Sequence, residues 1–383
     1  MHDIGNPPFG HFGEFAISEW FKINGVDALK CAFEASGVAG AETYKNQALA
    51  DFIEFDGNPQ GIRIVTKLQR NNDEFGLNLT KTTLAAYLKY VRTSGIKPEE
   101  VESPFVKKCG YFSTEVDIVE SVWREFGYNI PQRYPLAYIM EAADDIAYCI
   151  SDLEDSIEKG LLNQSSALSD IDSQWRSAGY DKLEFSSIIT AALTNAANGE
   201  KPDGKPYTFT DFRTNLNRAL VNHAAEQYII HHDEVLSGAM SSLISAESAY
   251  GKILELLKDY CRDRVYCHES VQKIELAGYK AISGLLEQFS CLLKIGEERF
   301  ALALDGQKKD EQGHKIVIES KLLSLFPKRY IQAYRDDLAR LSRDESFHVK
   351  EWVLRAHLVT DFISGMTDDF SIDTYQTLSG IKL

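Results

Sequence analysis

Apolar side chains recur at three- and four-residue steps over ten stretches of this chain: residues 28–34, 84–92, 114–126, 136–159, 183–197, 211–236, 240–265, 272–295, 327–341 and 346–367. That spacing follows the turn of an α-helix and defeats the two-residue alternation of a half-buried strand. The chain is therefore predicted to be all-α. The pattern lapses at 96–98, 198–206 and 304–313, where Gly, Pro, Asn and charged residues take over, and the first and last of these read as loops. Residues 314–318, containing Lys315-Ile316-Val317-Ile318, suit a short strand or hairpin arm. No break combines length with low complexity. The sequence predicts one elaborated helical domain, with a core over 1–160, a helical subdomain over 161–260 and C-terminal helices over 261–383 packing back on the core.

With 383 residues and 44% hydrophobic side chains the chain can bury a large core, and no apolar run approaches the roughly 18 residues of a membrane span. His2, Asp3, Pro7 and Pro8 stand where a secretory signal would carry basic and apolar blocks, which points to the cytoplasm. Six scattered cysteines with no CxxC pair argue against a disulfide framework or a cysteine-rich zinc site. The 57 acidic residues outnumber 41 basic ones, and the net charge of -16 repels nucleic acid and anionic membrane outside local basic clusters. A polyanionic ligand then needs its own pocket.

The opening run, residues 2–14, sets ligand-type side chains into a turn-rich frame. Gly5 suits the left-handed residue that ends a helix, Pro7 and Pro8 forbid its continuation, and Gly10 and Gly13 leave backbone room. The expected order is helix end, loop, helix start. Imidazole and carboxylate donors suit Mg, Mn, Fe, Co, Ni or Zn at an open site, where bound water becomes acidic enough to attack phosphorus. Adjacent helical positions diverge by about 100°, so His2 and Asp3 share one ion only where the helix is ending or the ion lies between them. His11 and Glu14, three apart, share a face of the following helix. The same side chains serve equally as a chain end and a helix cap. His232-Asp233, a second such pair without the glycine and proline frame, is expected on a solvated helix.

The run HDIGNPPFGHFGE resembles the signature of the bacterial deoxyguanosine triphosphate triphosphohydrolases (dGTPases), members of the HD superfamily of metal-dependent phosphohydrolases. FDGNPQGIRI at 55–64, GLNLTKTTLAAYLKY at 76–90, EAADDIAYCISDLEDSIEKG at 141–160, IELAGYKAISGLL at 274–286 and DFISGMTDDF at 361–370 extend the resemblance over nearly the whole chain. It implies an HD-type helical core and hydrolysis of dGTP to deoxyguanosine and inorganic triphosphate, with a divalent metal, Mg or Mn, as cofactor. His2 and Asp3 match two metal ligands and Asp144 a third. Asp144 is preferred to Asp145 because Tyr148 and Asp152 then follow at the family's four-residue steps. In related enzymes that tyrosine packs on the deoxyribose and that aspartate bonds its 3'-hydroxyl. His11 and Glu14 match the catalytic pair beside the α-phosphate, and Lys89 and Lys108 are candidates for triphosphate contacts. Asn58, Gln60, Arg63, Tyr266 and Glu275 stand in contexts suited to lining the pocket. Periodicity alone sets Asp144, Tyr148 and Asp152 opposite an aliphatic face of Ala143, Ile146, Ile150, Leu153 and Ile157, as a stripe turned to water.

The 141–160 stretch is closer to the dGTP-preferring branch than to the broad dNTP-hydrolysing one. Family members commonly form homo-oligomers, and some dGTPases bind single-stranded DNA as an activator. The family's first metal histidine lies on a helix upstream of the His-Asp pair, and Met1 stands at what is there a mid-helix position. None of His223, His231, His232, His268, His314, His348 and His357 has a context resembling that ligand. The chain is thus expected to lack its N-terminal part. Three outcomes follow: a dGTPase, a broader HD-type dNTP triphosphohydrolase, or a truncated non-catalytic remnant.

Overall fold

The regular structure of the described residues is helical apart from one short parallel ladder and two isolated bridges, in a computed structural model that describes residues 2–71, 73–201 and 204–382. Met1 and part of the expected 198–206 break lie outside the described residues. Two compact units emerge, Met1–Gln132 with Ile274–Leu383, and Arg133–Lys273.

In the first unit a 3-10 turn, His2–Gly5, precedes α1 (His11–Ala35), α2 (Ala41–Ile53), α3 (Gly57–Arg63), a π-helical turn over Ile64–Leu68 and α4 (Lys81–Tyr87). Strand β1 (Arg92–Thr93) pairs in parallel with β2 (Cys109–Tyr111), and α5 (Val116–Glu125) follows. The second unit holds α6 (Pro135–Glu158), α7 (Gln164–Ser177), α8 (Ser187–Asn198), α9 (Phe209–Ile230), α10 (His232–Ser237) and α11 (Ala249–Cys261). Helix α12 (Glu269–Lys294) returns the chain to the first unit, which ends with α13 (Glu297–Leu304), α14 (Val317–Leu323), α15 (Lys328–Arg340), α16 (Phe347–Ser364) and α17 (Asp368–Leu378).

The core of the first unit joins Ile17, Phe21 and Leu29 of α1 to Ile282, Leu285, Phe289 and Leu293 of α12 and to α16. Helix α16 is buried on every side from Glu351 to Ser364, although charged residues are spread round it. Its charged residues are therefore paired. Arg355 binds Glu351 and the carbonyls of Leu292 and Ile295, His357 Nε2 lies 2.8 Å from Asp51 Oδ2, and Asp361 Oδ2 accepts from Arg63 Nη2 at 2.8 Å. Arg63 also reaches Glu115 at 3.0 Å, and Lys67 joins Glu115 at 3.1 Å and Asp337 at 2.9 Å. In the second unit Ile146, Ile150 and Leu153 of α6 share a core with Trp175, Leu193, Leu216, Leu220, Ile253 and Leu257.

Several expectations need correction. The 84–92 helix stops at Tyr87, because Leu88 turns extended and Arg92 enters the ladder. The 211–236 stretch breaks at His231, and the 240–265 helix begins only at Ala249. Residues 314–318 form no strand: one antiparallel bridge links Lys309 and Lys315, and α14 starts at Val317. Gly5 is not left-handed; that conformation falls to Phe9 and Gly10, at φ 62° and 54°. Ala143 faces solvent, and Ala142 and Cys149 take inward positions on α6. All six cysteines are free, though Cys31 and Cys267 are exposed. The His232-Asp233 pair sits exposed on α10, as expected.

Candidate active site

The opening run is locked into the first unit by close backbone approach. A Cβ on Gly5 would lie 2.0 Å from the Gly57 carbonyl oxygen, and one on Gly57 would lie 2.2 Å from Asn6 Oδ1. At Gly5 the obstacle is backbone, so no other residue type fits; at Gly57 the Asn6 side chain would have to move. Tyr87 Oη donates to the His2 carbonyl at 3.0 Å, and the Phe9 amide donates to Asp368 Oδ1 at 3.0 Å. These contacts explain two family-like stretches, 55–64 and 361–370, as a frame for the first one.

Within that frame His2 Nε2 and Asp3 Oδ1 stand 3.5 Å apart. Two donors about 2.1 Å from one ion are separated by roughly 3.0–3.4 Å, so the pair comes close to the spacing of a shared divalent cation and has its donor chemistry. Asn6 Nδ2 donates to Asp3 Oδ1 at 3.3 Å, which ties this pair to the Gly57 turn.

Glu14 is anchored from the other side of that turn. Its Oε1 accepts the Gly57 amide at 2.7 Å, and its Oε2 lies 2.7 Å from His11 Nδ1. The hydrogen bond to Glu14 raises the His11 pKa, against partial burial. The imidazole is thus held toward its cationic form, with its outer edge open to solvent and the carboxylate behind it sheltered.

Asp56, which precedes Gly57, caps α3 by accepting the Asn58 amide at 2.9 Å. Its other oxygen takes Lys108 Nζ at 2.5 Å. Burial works to raise the Asp56 pKa, but the Lys108 ammonium and Asn58 hold it below the usual carboxylate range. Lys89 lies in the bend before β1 and Lys108 immediately before β2. Parallel pairing of Arg92 with Cys109 brings their two segments side by side.

Asp144, Tyr148, Asp152 and Tyr266 belong to the second unit. Asp144, Tyr148 and Asp152 share one stripe of α6, four residues apart. A π-helical turn, Arg262–Tyr266, ends α11 and delivers Tyr266 to that stripe: its hydroxyl donates to Asp152 Oδ2 and lies 3.3 Å from Tyr148 Oη. Burial raises the Asp152 pKa, and the bonds from Tyr266 and Tyr148 only partly offset it. Asp145 instead accepts Lys258 Nζ at 3.0 Å, on an exposed flank.

Curated proteins named for a single activity match over this whole architecture. A relative from Klebsiella pneumoniae, deoxyguanosinetriphosphate triphosphohydrolase, is 34% identical over 100% of this chain and 77% of its own length. The Yersinia pestis protein of the same name is 33% identical over 99% of the chain and 76% of its own. The chain belongs to the deoxyguanosinetriphosphate triphosphohydrolase family. A Pseudomonas aeruginosa protein named as a probable member is 34% identical over 100% of the chain and 76% of its own length. No family model matches.

Two pocket candidates serve the scaffold instead. Gln60 and Arg63 are buried and both bind Asp361, so they hold α3 to α16. Asn58 bonds Asp56. Glu275 is half-buried on α12, with its carboxyl pushed up by burial. Asp56 was missed by sequence reasoning; an aspartate before Gly57-Asn58-Pro59 is a helix-cap signal, yet nothing local announces its partner Lys108.

Proposed function

We propose that this chain hydrolyses dGTP at the α-phosphorus, releasing deoxyguanosine and inorganic triphosphate. The observation that carries the reading is the His11–Glu14 pair fastened to the Gly57 amide beside the Asp56–Lys108 pair. A protonated imidazole held by a sheltered carboxylate suits proton delivery to the leaving oxygen, and an adjacent ammonium suits an anionic leaving group. His2 and Asp3 would hold a divalent ion, Mg or Mn, together with Asp144. When bound, such an ion polarises a phosphoryl oxygen and acidifies water. Tyr148 would pack on the deoxyribose, Asp152 would bond the 3'-hydroxyl, and Lys89 and Lys108 would contact the triphosphate. Family likeness extends the reading to a homo-oligomeric, cytoplasmic enzyme with single-stranded DNA as an effector. Among the described residues no helix is long and apolar enough to cross a membrane.

The test is triphosphate release from each of the four dNTPs with Mg, Mn or Co. Turnover of dGTP alone supports the reading, turnover of all four moves it to a broader dNTP triphosphohydrolase, and no turnover leaves a non-catalytic remnant. Within an active protein, Asp144→Ala should abolish metal-dependent turnover and Asp145→Ala should reduce it only mildly. The reverse ranking overturns the ligand assignment.

A further inference from the structure

Two carboxylates meet at the turn that opens α3, and each continues to a cation. Glu14 takes the Gly57 amide and holds His11; Asp56 takes the Asn58 amide and holds Lys108. The two arms leave adjacent residues of one turn, since Glu14 takes the amide of Gly57 and Lys108 is held by Asp56, the chain neighbour of Gly57. Asp56 is itself buried, whereas more than a third of the Lys108 side chain is exposed. An ammonium has three donors, and one is spent on Asp56. The others remain to meet a ligand.

We infer that Asp56 is a positioning residue: it fixes the Lys108 ammonium against the His11–Glu14 pair, so that cation and acid address one phosphate chain together. The inference rests on the proposed dGTP hydrolysis for its catalytic meaning, but the coupling between Asp56 and Lys108 does not. Without Asp56 the lysine stem regains rotamer freedom, and the ammonium no longer sits where charge develops. Loss of a negative charge beside a triphosphate does not weaken ground-state binding. Turnover and affinity should therefore part company.

Asp56→Asn tests this, because an asparagine still caps α3 and keeps the fold while releasing Lys108. The expected result is a kcat for dGTP about tenfold lower or more, with KM unchanged or lower. Asp56→Ser, a second cap-competent variant, should do the same. In a Lys108→Ala background Asp56→Asn should have no further effect on kcat. An unchanged kcat, a raised KM with kcat intact, or losses that multiply independently would overturn the inference. If the unmodified chain turns over no dNTP, the functional reading fails. The Asp56–Lys108 coupling is then read from a double-mutant cycle on affinity for inorganic triphosphate by calorimetry. Non-additive changes support the positioning role, and additive ones refute it.

Discussion

Carboxylates and cations meet at two places in the first unit, and they meet differently. Between α3, α5 and α16, Arg63, Lys67, Glu115 and Asp361 are all buried and mutually bonded, with Arg63 reaching Asp361 at 2.8 Å and Glu115 at 3.0 Å. At the α3 turn the same chemistry is half open: Glu14 and Asp56 are sheltered, but the His11 ring and much of Lys108 face solvent. In the buried cluster the charges are matched among themselves. At the turn the carboxylates are consumed by backbone amides and by one side of each cation, and the other side is left for a ligand. Burial decides which ion pairs hold the fold and which have capacity left for chemistry.

The largest effect should come from breaking the buried cluster. Arg63→Met leaves the buried Asp361 and Glu115 short of their shared partner. Removing one partner of a buried pair costs about 3–5 kcal/mol. Urea denaturation should show a loss of that size, and any fall in activity should track the unfolded fraction. A loss below about 1 kcal/mol would mean that the cluster is not the structural half of the comparison.

The half-open pair should behave in the opposite way. His11→Ala removes an exposed ring, so stability should shift by no more than about 0.5 kcal/mol, while kcat for dGTP falls by about 10²- to 10⁴-fold. Matched urea melts and initial rates decide it. A variant that unfolds earlier but turns over normally when folded would assign the pair to the scaffold.

The contrast also explains what could be seen in the sequence. Period-based reading found the last turns of α1, and α6, α12 and α16, because their buried faces recur every three or four residues. It missed α3, seven residues rich in Gly, Asn and Pro, and α7, where Leu168, Ile171 and Trp175 are separated by polar residues. It also treats charge as solvent-facing. Glu351, Arg355, His357 and Asp361 lie inside α16 because each has a partner, and a pattern of hydropathy carries no record of partners. The opening motif was legible because its residues act within a dozen positions of one another. Lys108 reaches Asp56 across 52 residues, through a parallel ladder two or three residues long, and no local pattern encodes that meeting. On α6 the stripe of Asp144, Tyr148 and Asp152 reads as a wet surface until Tyr266 is seen bonded to it.

The finest distinction between the two clusters is their response to pH. In the buried cluster Arg63 holds its charge across the neutral range, because burial works against the guanidinium charge but Asp361 and Glu115 more than restore it. His11 is different. Its pKa is raised above the ordinary value near 6.5, chiefly by the bond to Glu14. If the cationic ring is the proton donor, kcat should be full at low pH, as far as the carboxylates allow, and should fall as pH rises through that raised value. Glu14→Gln keeps a hydrogen-bonding side chain but removes the charge, so the descending limb should move to lower pH along with a reduced plateau. A kcat–pH profile of both proteins at saturating dGTP and fixed metal reads the shift. A limb that stays in place would show that a group other than His11 sets it.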